Sequence, residues 1–232
     1  MDLPKVADIV IIGAGISGLS VALPIAKAGL SVVVLDKGAP WSDASGANAG
    51  TLSIQVKRAE VLSLIHESIE RWKRMPEDYG VEVGFGQPGG IRVATTEAER
   101  LQLEESVRIQ KDNGIDVQML DREEVQRLGP WLGPAVRAGS ICPHDGYSSP
   151  LLVGNSMVTV ARQLGIVIAS DNCVTAIKRD KTSEIGRFSI KTDKGETIYA
   201  SHVVNAAGAW AGEVATLSVS YTHLTLPTIL LV

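Results

Sequence analysis

The sequence predicts an α/β fold, and three features of its first forty residues carry that prediction. An apolar run, Val6–Ile12, enters a glycine-rich turn, Gly13-Ala14-Gly15-Ile16-Ser17-Gly18. A helical segment follows to about Ala28 and stops at Gly29. A second apolar run, Ser31–Leu35, then ends in Asp36. Strand, turn, helix and strand in this order are the context that makes a bare GxGxxG pattern a Rossmann-like, dinucleotide-binding unit.

Phosphate chemistry explains each position. Gly13 permits the tight turn, Gly15 lets the backbone approach a pyrophosphate, and Gly18 lets helix and strand pack closely. Ala14, Ile16 and Ser17 complete the turn and open the helix, whose unpaired N–H groups and positive dipole end suit an anion. Asp36, with Lys37 beside it, falls at the end of the second strand, about 20 residues past the turn. A carboxylate there accepts hydrogen bonds from ribose hydroxyls and disfavours a 2′-phosphate. FAD and NAD both satisfy the motif, which does not separate them.

The remaining elements follow from periodicity and turn chemistry. Helix 16–28 shows Ile16, Leu19, Leu23 and Ala26 on one face, with a kink expected at Pro24, which denies the Ser20 carbonyl its partner. Residues 31–36 read as a parallel strand buried on both faces. Residues 38–53 form a Gly-, Ala- and Ser-rich loop that can lie close to a flat or phosphorylated ligand. Residues 55–75 read as a helix with Val61, Ile65, Ile69 and Trp72 in one stripe, stopped by Pro76. Two short strands are expected at Val81–Gly84 and Gly90–Ala94, turned at Gln87-Pro88-Gly89. Thr96 and Glu99 make a capping box for a helix to about Asp112, with Gly114 as its stop and Glu104–Arg108 as a surface pair. Asp121 and Glu124 repeat the capping signal before a short helix ending at Gly129-Pro130. After the polar stretch 141–149, Ser149 and Pro150 start a helix bearing Val153, Met157, Val160 and Leu164. Strands are expected at Val167–Ala169, Val174–Lys178, 187–192 and 197–204, with a turn at Asp193–Gly195. The last strand runs into Asn205-Ala206-Ala207-Gly208-Ala209-Trp210, where small residues allow a second close approach of backbone to a ligand.

Composition narrows the function classes. A formal charge of −4 gives no electrostatic argument for nucleic acid or an anionic membrane. The two cysteines, Cys142 and Cys173, fit neither a disulfide framework nor a thiolate metal site, and Cys173 reads as a small buried hydrophobe. His66, His144, His202 and His223 show no metal-ligand spacing, so no metal is expected. Asp2 and Pro4 precede an apolar run that is already the first strand, which argues against a signal peptide. No apolar segment reaches the roughly 18 residues of a membrane span. The expected location is cytoplasmic, with attachment at a membrane surface as the alternative.

Taken together, the GAGISG turn, the acid at 36, the Ala44-Ser45-Gly46-Ala47-Asn48-Ala49-Gly50 loop, Asp145-Gly146 ahead of a helix, and the NAAGAW segment resemble a known family. It is the FAD-dependent amine and amino-acid oxidoreductases of the glycine oxidase, sarcosine oxidase and D-amino-acid dehydrogenase group. The resemblance runs to about residue 217. It implies a GR2-type flavoprotein: a Rossmann-like FAD-binding domain formed by residues 1–78 and 140–217, and an incomplete α+β substrate domain begun by residues 79–139. By analogy Gly13, Gly15 and Gly18 line the pyrophosphate of FAD and Asp36 holds its ribose. Ser45, Gly46, Asn48, Ala49 and Gly50 run beside the pyrophosphate and flavin. Val174 meets the adenine through its backbone, and Ala207, Gly208 and Trp210 close over the cofactor. The implied reaction is oxidation of a C–N bond in an amino acid or secondary amine to an imine, by hydride transfer to flavin N5, with oxygen or an electron-transfer acceptor as oxidant. The resemblance singles out no catalytic residue in this stretch.

The sequence also departs from that family. Its members continue for well over a hundred residues, which hold the rest of the substrate domain and, in many, a carboxylate-binding arginine. Residues 218–232, SVSYTHLTLPTILLV, change character abruptly and resemble translated sequencing-adapter readthrough, although their Thr, Leu, Val and Ile also favour strand. A truncated, poorly soluble and inactive chain is therefore expected, from a parent that forms homo- or hetero-oligomers. Other readings of the same residues are an FAD-dependent dehydrogenase of glycerol-3-phosphate or 2-hydroxyacid type, and a flavin-binding subunit of a multi-subunit dehydrogenase.

Overall fold

The computed structural model of the chain describes residues 3–179 and 187–218. Its first elements are β1 (Val6–Ile12), α1 (Ile16–Lys27), β2 (Val32–Leu35), β3 (Thr51–Leu52), α2 (Leu62–Tyr79), β4 (Gly90–Ala94) and α3 (Glu97–Asp112). There follow β5 (Gln118–Leu120), α4 (Arg122–Leu128), β6 (Ala138–Cys142), β7 (Gly146–Tyr147) and α5 (Pro150–Gln163). The last are β8 (Val167–Ala169), β9 (Val174–Arg179), β10 (Phe188–Thr192), β11 (Thr197–Asn205) and α6 (Ala211–Thr216). They divide between two units, Met1–Ala47 with Gly154–Val232 and Asn48–Val153. The expectation for residues 219–232 lies outside the described residues, as does His223.

The first unit is built on a six-stranded sheet in the order β8-β2-β1-β11-β10-β9. β8, β2, β1 and β11 are parallel, with Val10 opposite both Val33 and Val203. β10 and β9 continue the sheet antiparallel. β11 is long because it serves both halves, pairing through Thr197–Ala200 with β10 and through Tyr199–Asn205 with β1. The order β2-β1-β11 sets three parallel carboxyl ends side by side. The connections leaving them, at Gly13, Asp36 and Ala206, therefore emerge on one edge of the sheet, where open α/β sheets bind ligands.

Burial holds this arrangement. Val10, Val33, Leu35, Ile190, Ile198 and Ala200 are buried in one cluster with Val174 and Ile177. Each fully buried Val, Leu or Ile contributes about 1.5–3 kcal/mol. All four residues of β2 are buried, as a strand covered on both faces requires. α1 runs through Pro24, and the Ala28 N–H donates to the Pro24 carbonyl oxygen. It buries Gly18, Leu19, Ala22 and Leu23, whereas Ile16 is 38% exposed, so the buried stripe lies to one side of the expected one.

The second unit holds the antiparallel sheet β4-β6-β5, the two-stranded β3-β7 pair, and α2, α3 and α4. It is wider than residues 79–139. Leu62 and Ile69 of α2 pack with Ile54, Val107, Ile115, Val117 and Cys142, and this shared core draws residues 48–78 and 140–153 into the same unit. Both capping boxes form: Thr96 with Glu99 opens α3, and Asp121 with Glu124 opens α4.

Three local expectations are corrected here. Pro76 lies inside α2, because a proline removes one hydrogen bond and the following turn is closed by Gly80, at φ 66°, donating to the Pro76 carbonyl. Val81–Gly84 forms no strand; Gly84 takes φ 59° and breaks the extended backbone. Arg108 pairs with Glu105 and Asp112, while Glu104 pairs with Arg100, since each guanidinium reaches nearer acids at i±3 and i±4.

Candidate functional site

The residues at the carboxyl ends of β1, β2 and β11 enclose a cleft of about 510 Å³, within the range of small-molecule sites. It lies wholly in the first unit. Gly13, Gly15, Ile16, Ser17, Asp36, Lys37, Ser45, Val174, Ala207, Gly208 and Trp210 line it, so eleven of the candidates chosen from sequence come together.

The geometry of the glycine turn shows why. Gly13 has φ 111°, and a Cβ there would overlap the Ala206 carbonyl, so the β1 and β11 connections touch backbone to backbone. A Cβ on Gly18 would overlap the Gly13 carbonyl, which makes Gly18 a packing residue beneath the cleft. A Cβ on Gly15 would stand 2.9 Å from Ser45 Oγ. Gly15 is the N-cap of α1 and has no side chain to cap with. Ser45 supplies that cap from the loop: its Oγ accepts from the Ile16 N–H at 3.0 Å.

Asp36 is turned towards the glycine turn. Its Oδ2 accepts from the Ala14 N–H at 2.6 Å and its Oδ1 from the Gly38 N–H at 2.9 Å. Two backbone donors thus fix the carboxylate, and its remaining lone pairs suit ribose hydroxyls. Ala14 is itself buried and acts through this hydrogen bond. Gly46 packs under the Trp41 carbonyl, where a Cβ would overlap it. Asn48, Ala49 and Gly50 belong to the second unit; there the Gly50 N–H donates to Asn48 Oδ1 at 2.8 Å.

Several residues of the cleft carry no sequence motif. Trp41, Asn172, Cys173 and Glu213 also line it. Trp41 has φ 67°, a conformation that is strained for a bulky residue, and its ring packs against Gly154. Among the described residues Asn172 Oδ1 and Trp41 Nε1 are buried without a hydrogen-bond partner. The Asn172 N–H donates to the Asp36 carbonyl at 2.8 Å, which ties the segment before β9 to the ribose-side acid. Cys173 is exposed rather than buried, because it precedes β9 with its backbone held by Asp193 and its side chain outside the core cluster. Lys37 Nζ sits 3.1 Å from the Trp210 ring centroid.

In the second unit Asp145 is buried and saturated by donors. Ser53 Oγ at 2.7 Å, the Ile54 N–H at 2.6 Å and Gln55 Nε2 at 2.9 Å all reach its carboxylate. This is a structural clamp on residues 53–55. Burial pushes the neighbouring Cys142 thiol up to about 11, so it stays protonated at neutral pH. His144 Nε2 lies 3.8 Å from Asp116 Oδ2 on the surface, and no cluster of metal-ligating side chains occurs among the described residues. Nor is any helix among them long and apolar enough to cross a membrane.

Comparison with known proteins supports the fold. The family described as FAD dependent oxidoreductase matches residues 8–229. Dimethylglycine dehydrogenase of Rattus norvegicus is 32% identical over 210 residues, 90% of this chain but 24% of the rat protein. Glycine oxidase of Geobacillus kaustophilus is 28% identical over 89% of this chain and 56% of its own length. The crystal structure of that enzyme superposes with a TM-score of 0.84 at 27% identity, over 92% of this chain and 58% of the other. L-proline dehydrogenase from P. horikoshii superposes with a TM-score of 0.79 at 28% identity, over 93% of this chain and 56% of the other. The chain thus spans from about a quarter to somewhat over half of the relatives it matches.

Proposed function

The chain belongs to the family of FAD dependent oxidoreductases, whose cofactor is FAD, and from that premise we propose that it serves the oxidation of an amino-acid or secondary-amine C–N bond to an imine. The observation that carries this reading is the Asp36 carboxylate fixed 2.6 Å from the Ala14 N–H beside a bare glycine turn. Gly13 accepts no Cβ because the Ala206 carbonyl lies against it, which gives the tight turn that a dinucleotide site requires. The relatives' names support the substrate class: glycine oxidase, dimethylglycine dehydrogenase and L-proline dehydrogenase are all named for amino-acid compounds.

FAD, when bound, supplies the hydride acceptor at flavin N5. The chain's own residues bind and orient. Gly15 and Ser17 present backbone to the diphosphate, beside a Gly13 N–H that donates to the Leu35 carbonyl and an Ile16 N–H that donates to Ser45 Oγ. Asp36 accepts from the adenosine ribose, and its two backbone donors keep it aimed. Val174 lies at the adenine end, and Ala207, Gly208 and Trp210 form the facing wall. Ser45 and Gly46 lead into Asn48, Ala49 and Gly50, which the reading assigns to the flavin side by resemblance.

The test is direct. Purified protein is expected to take up FAD, read by flavin absorbance and fluorescence quenching, while turnover of glycine, sarcosine or a D-amino acid is to be assayed on a chain that spans the whole length of its relatives. Peroxide formation then marks oxygen as the acceptor, and dye reduction without peroxide marks an electron-transfer partner. Protein that binds no flavin under saturating FAD overturns the reading.

A further inference from the structure

The cleft is poor in positive charge for a site that would hold a diphosphate. Three carboxylates line it, Asp36, Asp43 and Glu213, and Lys37 is the one basic side chain among its described lining residues. Lys37 does not extend loosely from its loop. Its ammonium rests 3.1 Å from the centre of the Trp210 ring, well inside the distance at which a cation is attracted to an indole face. The two partners come from opposite walls. Lys37 follows β2, and Trp210 follows β11, with β1 and its glycine turn between those strands. Each anchor is held close to that turn, Lys37 through the bond from Ala14 to Asp36 and Trp210 through the backbone contact of Ala206 with Gly13.

On the cofactor reading given above, the geometry points to Lys37 and Trp210 acting as one unit: a cation positioned on an aromatic face that neutralises the ligand's diphosphate. Trp210 then acts through the lysine, because the ring face that could stack on a base carries an ammonium instead. Without Lys37, the lining acids would face two added negative charges with only backbone dipoles in compensation. Affinity for the phosphate part should hang on this pair, and affinity for the nucleoside part should not. Both are positioning residues for the cofactor rather than groups that touch a reacting atom.

Titration of the purified chain with ADP and with adenosine separates these contributions. Lys37→Met is expected to weaken ADP about tenfold and to leave adenosine within about twofold. Added salt should weaken ADP binding to the unsubstituted chain and have much less effect on Lys37→Met, because the screened charge has been removed. Lys37→Arg keeps the charge and the affinity for an indole face, and is expected to restore most of the ADP affinity. In a Trp210→Leu background, Lys37→Met should cost ADP less than about threefold, since the ammonium has already lost its seat. Equal losses for ADP and adenosine, or no loss for either, overturn the pairing while leaving the cofactor reading intact. Failure of the unsubstituted chain to bind both FAD and ADP overturns the cofactor reading and the pairing with it.

Discussion

Asp36 shows how one side chain links fold to ligand. Its carboxylate is held by the N–H groups of Ala14 and Gly38, so it cannot swing away from the glycine turn without stranding two backbone donors. Asp36→Asn keeps the size but removes the charge and half of the acceptor capacity. FAD affinity is expected to fall about tenfold, on the order of 1.5 kcal/mol for a lost charge-assisted bond, measured by fluorescence titration. At the other end of β1, Asp8 makes a comparable local clip. Hydrogen bonds from the Ser31 side chain and then its backbone hold the Asp8 pKa below its ordinary 3.8. A depressed acid stabilises the fold above its unfolded pKa, and that contribution disappears as pH falls through the lower folded value. Ser31→Ala should therefore lower the thermal midpoint at pH 6, and the gap from the unsubstituted chain should narrow as pH falls below 3.8. A gap that is constant from pH 6 to pH 2 would assign the effect to packing.

At the scale of elements, the clearest sequence signals were those in which one residue satisfies a named backbone group. Thr96 with Glu99 and Asp121 with Glu124 form the reciprocal caps that their spacing requires. Asp121→Ala is expected to cost about 1 kcal/mol in urea unfolding, with the loss confined to α4 amides in hydrogen exchange. Helix ends were less legible where two signals competed. Pro76 reads as a stop, yet the terminus is set by Gly80, whose left-handed φ of 66° closes the last turn. No atom stands within 4 Å of a Cβ placed at Gly80, so Gly80→Ala tests backbone strain alone. The expected cost is about 1 kcal/mol, and a neutral result would make Pro76 the true terminator. The buried stripe of α1 was misplaced for a related reason: periodicity gives a face, but Gly18 packing on Gly13 decides its rotation. Cys173 reads as buried in the sequence because an apolar run does not reveal that its first residue precedes the sheet.

Across the whole molecule, what the sequence could not reveal is the set of neighbours brought in by long-range pairing. The glycine turn and Asp36 are legible because one βαβ unit contains them. Asn172, Cys173 and Glu213 join the cleft only because β11 pairs with β1 and the segment before β9 hydrogen-bonds back to Asp36 and Gly38. Nothing in the local pattern around 172 or 213 announces a site. The same pairing predicts where ligand energy should appear. A ligand that binds only the folded chain stabilises it by RT ln(1 + [L]/Kd), about 2.7 kcal/mol at a hundredfold excess over Kd. The cleft is walled by the ends of β1, β2 and β11, so their amides should carry that gain when FAD is added. Slowing by up to about a hundredfold is expected there in hydrogen exchange wherever opening releases the ligand. Slowing confined to β4, β5 and β6 would place the ligand in the second unit and remove the glycine turn from its binding.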